Sequence, residues 1–232
     1  MFKLIIANKN YSSWSLRPWV LMTTLQIPFE EQLIAFGAAF SDPAFVRVAP
    51  SRRVPVLLDG EQSIWDSLAI VEYLAERHPA VWPQDVRARA WARSAAAEMH
   101  SGFSTLRTIC AMNCGLRIAL HEVNAPLTQE LERIAELWAD GLTRFGGPWL
   151  AGETFTAVDA FFAPVAFRMQ SYGLSLGETS DAYVRRLLAL PAMQQWYAEG
   201  LAEPWRDAAH EADSLAVGRV IGDMRGPMAA ST

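Results

Sequence analysis

Three short stretches in the first third of the chain have residue types and spacing suited to holding an anionic ligand. The first, Tyr11-Ser12-Ser13-Trp14-Ser15, places hydroxyls where an apolar strand pattern gives way to a helical one. Such a junction leaves backbone N–H groups free and turns the positive end of the helix dipole outward, so an anion is stabilised there. The second, Arg53-Val54-Pro55-Val56, has a proline directly ahead of a strand and after a polar loop. An X-Pro bond in that setting is a candidate for the cis form. The Val54 N–H and C=O then face outward and can pair with an extended peptide as one more strand. The third, Asp66-Ser67, opens a helix whose free N–H groups suit a carboxylate. Taken singly, each stretch also fits plain architecture: helix capping for the first and third, an edge-strand proline for the second.

The elements that must position these residues follow from periodicity. Residues 2–7 read as a buried strand, 16–26 as a helix with Pro18 in its first turn, and 29–35 as a second strand. Residues 53–58 and 62–65 flank Asp59-Gly60, a strong hairpin signal, and 68–77 follow as a helix. A β-α-β unit with an added hairpin and a covering helix predicts a small α/β sheet domain over 1–80. Past a linker at 79–86, strand signals nearly vanish. Residues 88–112 are Ala-rich and helical, and 127–145 place Leu131, Ile134, Leu137, Trp138, Leu142 and Phe145 on one helix face. Residues 158–169 are apolar almost all round, as in a central buried helix, and 183–190 and 192–199 read as further helices. The spacing predicts an all-α helical bundle over 87–217, then a loosely held tail over 218–232.

Composition narrows the partners. With 51% hydrophobic and 19% charged residues, the chain can bury a core and is not intrinsically disordered. A net charge of −5 and no dense Lys/Arg run argue against a nucleic-acid binder. No apolar run approaches the ~20 residues of a membrane span. The apolar start is too short for a signal core, so a cytoplasmic protein is expected. Cys110 and Cys114 read as small core residues on one helix face. His78, His100, His121 and His210 lack ligand spacing, so no metal is expected.

The order and spacing of the three stretches resemble the glutathione transferase family, and the resemblance covers nearly the whole chain. The linker His78-Pro79 with Trp82-Pro83 and Arg87-Ala88 looks like that family, as does Thr156-Ala157-Val158-Asp159, read as a helix cap. Ser12-Ser13-Trp14-Ser15-Leu16-Arg17 is most similar to the zeta-like and related bacterial serine types. The chain departs from zeta members at three points: Trp14 stands where Cys is common, Arg53 where Gln is usual, and Val165 rather than Gln follows Pro164. These departures weigh against the zeta isomerase activity in particular.

The resemblance implies a thioredoxin-like N-terminal domain, an all-α C-terminal domain, a homodimer, and glutathione as the substrate held like a cofactor. Aligned on Arg17, Ser12 matches the serine that faces the glutathione sulfur, with Ser13 as the alternative one position on. Val54 and Pro55 would meet the cysteinyl portion, Asp66 and Ser67 the γ-glutamyl end, and Arg53 or Arg52 the glycine carboxylate. The second substrate would lie near Trp14 and a helix carrying His100, Phe103, Leu106 and Arg107. The implied activity is detoxifying transfer of the glutathione thiolate to a small apolar electrophile. A glutathione-dependent isomerase of maleylacetoacetate type, a peroxidase, and a non-enzymatic binding or regulatory protein are the alternatives. No Gly-x-Ser-x-Gly elbow occurs and no His lies near the serine loop in sequence, which disfavours a serine hydrolase.

Overall fold

A computed structural model describes residues 1–225. The apolar run of β1 (Phe2–Ala7) is buried from Leu4 onward, and it forms an inner strand of a four-stranded sheet ordered β2-β1-β3-β4. It is followed by α1 (Ser13–Thr24) and β2 (Phe29–Ile34), which pairs parallel to β1. Parallel strands need a long crossover connection, here supplied by α1. β3 (Val56–Asp59) runs antiparallel to β1 and turns through Asp59-Gly60 into β4 (Gln62–Trp65). Gly60 holds φ +60°, the left-handed conformation such a turn requires. The short helix α2 (Pro43–Val48), capped by Asp42, fills what the sequence leaves as a connection. α3 (Ser67–Ala75) completes the unit. α1 starts three residues earlier than its apolar pattern suggests, because the serine loop itself forms the first turn. Pro18 therefore lies inside the helix and not in that turn.

Seven helices follow: α4 (Val86–Ser101), α5 (Ser104–Ile109), α6 (Ala125–Phe145), α7 (Ala157–Tyr172), α8 (Glu178–Leu188), α9 (Pro191–Ala202) and α10 (Ala208–Ala216). α7 is the buried axis, packed on α1, α4 and α8. Asp159 in its first turn accepts from the Thr156 N–H (2.9 Å), the Leu150 N–H (3.0 Å) and the Tyr183 hydroxyl (2.8 Å). Full burial pushes its carboxyl up to about 6, against the pull of those donors.

Three expectations need correction. Residues 88–112 are not one helix: α4 ends where the Gly102 N–H closes on the Glu98 carbonyl, and Phe103 takes a left-handed φ of 56° before α5. Cys110 and Cys114 consequently sit past the end of α5, both buried and unpaired, and not on one helix face. The second part is also not purely helical, because β5 (Leu116–Leu120) pairs antiparallel with β6 (Gly218–Asp223).

That pairing overturns the loosely held tail over residues 218–223. A Cβ at Gly218 would lie 2.4 Å from the Ala119 carbonyl oxygen, so a glycine is what lets the two strands close. Arg225 beyond it is buried, donating to the Tyr11 hydroxyl and to the carbonyls of Glu203 and Trp205. Residues 226–232 lie outside the described residues.

Candidate functional site

Four elements of the first unit bring their ends to one cleft of about 750 Å³: the loop between β1 and α1, the segment before β3, the end of β4 and the start of α3. The β1–α1 loop is held rigidly. Lys9 is buried there, paired with Glu31 (2.8 Å) and Glu199 and lying over the Trp19 and Trp196 rings. The Trp196 indole N–H donates to the Lys9 carbonyl (2.8 Å), which ties the loop to α9. Ser12 holds the N-cap position of α1 without a side-chain capping bond, and its hydroxyl donates to the Ser15 hydroxyl (2.7 Å). Ser15 is fully buried and also accepts from the Ala7 N–H (3.2 Å). Among the described residues, the Ser13 hydroxyl makes no hydrogen bond. Both Ser12 and Ser13 line the cleft.

The Val54–Pro55 bond is cis, as the sequence suggests. Both residues line the cleft, and Val54 lies beyond the paired register, which ends at Ile5 opposite Val56. Arg52 and Arg53 stand exposed at the rim. Asp66 holds φ +75°, a conformation that non-glycine residues adopt rarely and mostly where geometry is over-determined. One of its oxygens caps α3 by accepting from the Leu68 N–H (2.8 Å), and the other lies 3.5 Å from His100 Nε2. Ser67 follows it in the cleft wall.

The opposite wall comes from the helical part and differs from the expected set. Trp14 and Arg107 line the cleft; His100 and Phe103 do not. Phe103 is 7% exposed and packs in the core, because its left-handed turn points the ring inward. His100 sits behind Trp14, edge-on to its ring, between Asp66 and the Arg17 guanidinium (3.5 Å). Burial, with Arg17 and Arg107 near it, lowers the His100 pKa in spite of Asp66. Arg17 is itself 1% exposed, stacked on Trp14 (4.2 Å) and Phe161 (5.0 Å), with Ser67 Oγ 3.5 Å away.

Several cleft residues carry no local sequence signal. Phe36, Phe40 and Trp65 come from the first unit, Ala111, Met112 and Arg168 from around α5 and α7, and His210 and Asp213 from α10. His210 stacks on Tyr11 and Phe36, with Nδ1 held by Asp207 (2.7 Å). Its approach to the serine loop spans the chain, so proximity in sequence could not reveal it. Tyr11 also lines the cleft, but its hydroxyl donates to Glu211 (2.6 Å) and accepts from Arg225 (3.0 Å). Burial and Glu211 push that phenol up to about 12, so it is committed to α10 and not to a ligand. On the first-unit wall, the groups open to an anion are a pair of serine hydroxyls and the amide ends of α1 and α3, with Arg52 and Arg53 at the rim.

Known families match both parts of the chain. A family model for the glutathione S-transferase N-terminal domain matches residues 11–77, and one for the C-terminal domain matches residues 84–199. The chain belongs to the glutathione transferase family. Among curated relatives, it is 27% identical over 206 residues to a probable maleylacetoacetate isomerase of Vibrio cholerae, covering 84% of this chain and 95% of that one. It is 39% identical over 106 residues to glutathione S-transferase theta-1 of Mus musculus, covering 44% of this chain and 40% of that one. A glutathione transferase homolog from Burkholderia, solved with bound glutathione, superposes with a TM-score of 0.66 at 24% identity, over 87% of this chain and 99% of that one. As in other glutathione transferases, a mixed-sheet domain precedes a helical one. No helix among the described residues is long and apolar enough to cross a membrane.

Proposed function

We propose that this glutathione transferase binds glutathione along the first-unit wall of the cleft and transfers its thiolate to a small electrophile seated against Trp14. The convergence of the Ser12 and Ser13 hydroxyls, the Val54 backbone and the α3 start on one cleft carries this reading. A free thiol with a pKa of about 8.5 is mostly protonated at neutral pH, while the thiolate is the nucleophile. A hydroxyl hydrogen bond and the α1 dipole both favour the charged form. Ser15 supports Ser12 in this role. The Ser12 hydroxyl donates to the Ser15 oxygen, which also accepts from the Ala7 N–H, so Ser15 fixes where the Ser12 oxygen sits and the Ser12 proton turns from Ser15 to sulfur when the thiolate binds. In this reading Asp66 meets the γ-glutamyl ammonium, Ser67 and the α3 amides its carboxylate, and Arg52 or Arg53 the glycine carboxylate. Trp14, Phe36, Phe40 and Met112 supply an apolar bed for the electrophile.

A second reading, a glutathione-dependent isomerase, is supported by the nearly full-length likeness to the probable maleylacetoacetate isomerase. There the thiolate adds to a double bond, the adduct rotates, and elimination returns the thiol. The family resemblance also supports a cytoplasmic homodimer. The test is retention on immobilised glutathione followed by a panel of aryl halides, peroxides and maleyl-type acids. Consumption of thiol with an aryl halide supports transfer, and cis–trans conversion without thiol consumption supports isomerisation. Failure to bind glutathione overturns both.

A further inference from the structure

The far wall of the cleft holds a cation without a counterion. Arg168, on α7, lines the cleft and is 3% exposed. Its Nε donates to the Cys110 carbonyl (2.8 Å) and its Nη1 to the Pro164 carbonyl (3.1 Å), which fixes the plane of the guanidinium. Among the described residues, Nη2 has no hydrogen-bond partner, and no carboxylate lies within 4.0 Å of Arg168. Asp213 lines the same cleft without pairing to it. A charge buried to this degree is ordinarily paired, since desolvation without compensation is among the costliest things a core can hold. Burial lowers the guanidinium pKa to about 10, so it stays cationic at neutral pH. Arg107 is a second cation of the same wall, and the two guanidinium groups lie close enough to repel each other. Arg107 is held by the Met99 carbonyl (2.9 Å) and the Gly102 carbonyl, and stands over the Trp14 ring (5.3 Å).

We infer that the second substrate is an organic anion, an electrophile whose carboxylate is received by Arg168 with Arg107 beside it while its apolar body lies against Trp14. The missing counterion then arrives with the ligand. This inference rests on the transfer reading above and names its substrate class. It adds a specificity residue, Arg168, for which the sequence gives no local signal. It also explains why two arginines stand on a wall that a purely apolar electrophile would find ill suited.

A matched pair of probes tests it: chlorodinitrobenzene and its ring carboxylate, chlorodinitrobenzoate. In both, the glutathione sulfur bonds the ring carbon that carries chlorine, and the C–Cl bond breaks with its electron pair leaving on chloride. A charge-assisted hydrogen bond corresponds to about 10- to 100-fold. The expected result is a kcat/KM ratio of carboxylate over neutral probe of about tenfold or more. That ratio should collapse by about 10- to 100-fold in Arg168→Met and recover in part in Arg168→Lys. Because the readout is a ratio on one preparation, loss of folded protein cancels.

A binding arm needs no turnover: quenching of tryptophan fluorescence by unreactive dinitrobenzoate against dinitrobenzene, with and without glutathione. Tighter binding of the benzoate, weakened by Arg168→Met, supports the site even if glutathione is never used, in which case only the transfer reading falls. Turnover of both chloro probes with equal kcat/KM, together with equal quenching, overturns the anion site and leaves transfer standing.

Discussion

The two walls of the cleft are built by different means. Around the helix starts, the first-unit wall uses small groups: serine hydroxyls, the backbone of Val54, and the amide ends of α1 and α3, each set by residues adjacent in sequence, with Phe36, Phe40 and Trp65 as its larger members. The helical wall uses long side chains, among them Trp14, Met112, Arg107, Arg168 and His210, gathered from segments far apart along the chain. Backbone amides positioned by a helix start are stiff and indifferent to what neighbours them, which suits a constant ligand. Long side chains converging from α5, α7 and α10 change with each substitution, which suits a variable one. Trp14 crosses between the walls. It belongs to the serine loop yet stacks on Arg17 and stands beside Arg107.

The largest expected effect separates the frame from both walls. Asp159→Ala leaves the Leu150 and Thr156 amides and the Tyr183 hydroxyl without their acceptor inside the core. Breaking such a buried cluster costs about 3–5 kcal/mol, and denaturant melts should show it. The carboxyl carries its own pH signature. Its folded pKa of about 6 lies above the unfolded value of roughly 4. Its contribution to stability is therefore fully present below the unfolded value and is lost as pH rises through about 6. Asp159→Asn should remove that slope from the stability curve.

Next comes the first-unit wall alone. Asp66→Ala should raise the KM for glutathione by about 10- to 100-fold with kcat changed little, since a charged hydrogen bond far from sulfur acts on binding. Steady-state kinetics at varied glutathione give the answer, and an unchanged KM removes Asp66 from the site. The smallest effect sharpens the comparison at its seam. Trp14→Ala should raise the KM for the electrophile severalfold and cost about 0.5–2 kcal/mol of stability through the lost stack on Arg17. If only the glutathione KM moves, Trp14 belongs to the first wall.

The same contrast explains what was legible beforehand. Strand β1, the Asp59-Gly60 hairpin, the α3 start and the Val54-Pro55 segment are local patterns, and periodicity or a turn dipeptide reveals them. β6 was hidden because its pairing with β5 depends on a partner about a hundred residues away, and its glycines read as looseness. Helical spacing placed His100 and Phe103 in the cleft because it assumed a continuous helix. The break at Gly102 turns Phe103 into the core, while His100 backs Asp66. Arg168 and His210 had no neighbours in sequence to mark them, and only tertiary convergence brings them to the serine loop.

The central claim is that the serine loop holds glutathione as its thiolate. Ultraviolet thiolate absorbance of bound glutathione, titrated against pH, tests it most directly. The account predicts a bound thiol pKa at least about one unit below the free value of roughly 8.5, worth about 1.4 kcal/mol. Ser12→Ala should move it back toward the free value, and Ser13→Ala should do so less. A bound thiol that titrates like free glutathione in the wild-type protein would contradict the account, and a shift lost in Ser13→Ala but kept in Ser12→Ala would reassign the hydrogen bond to Ser13.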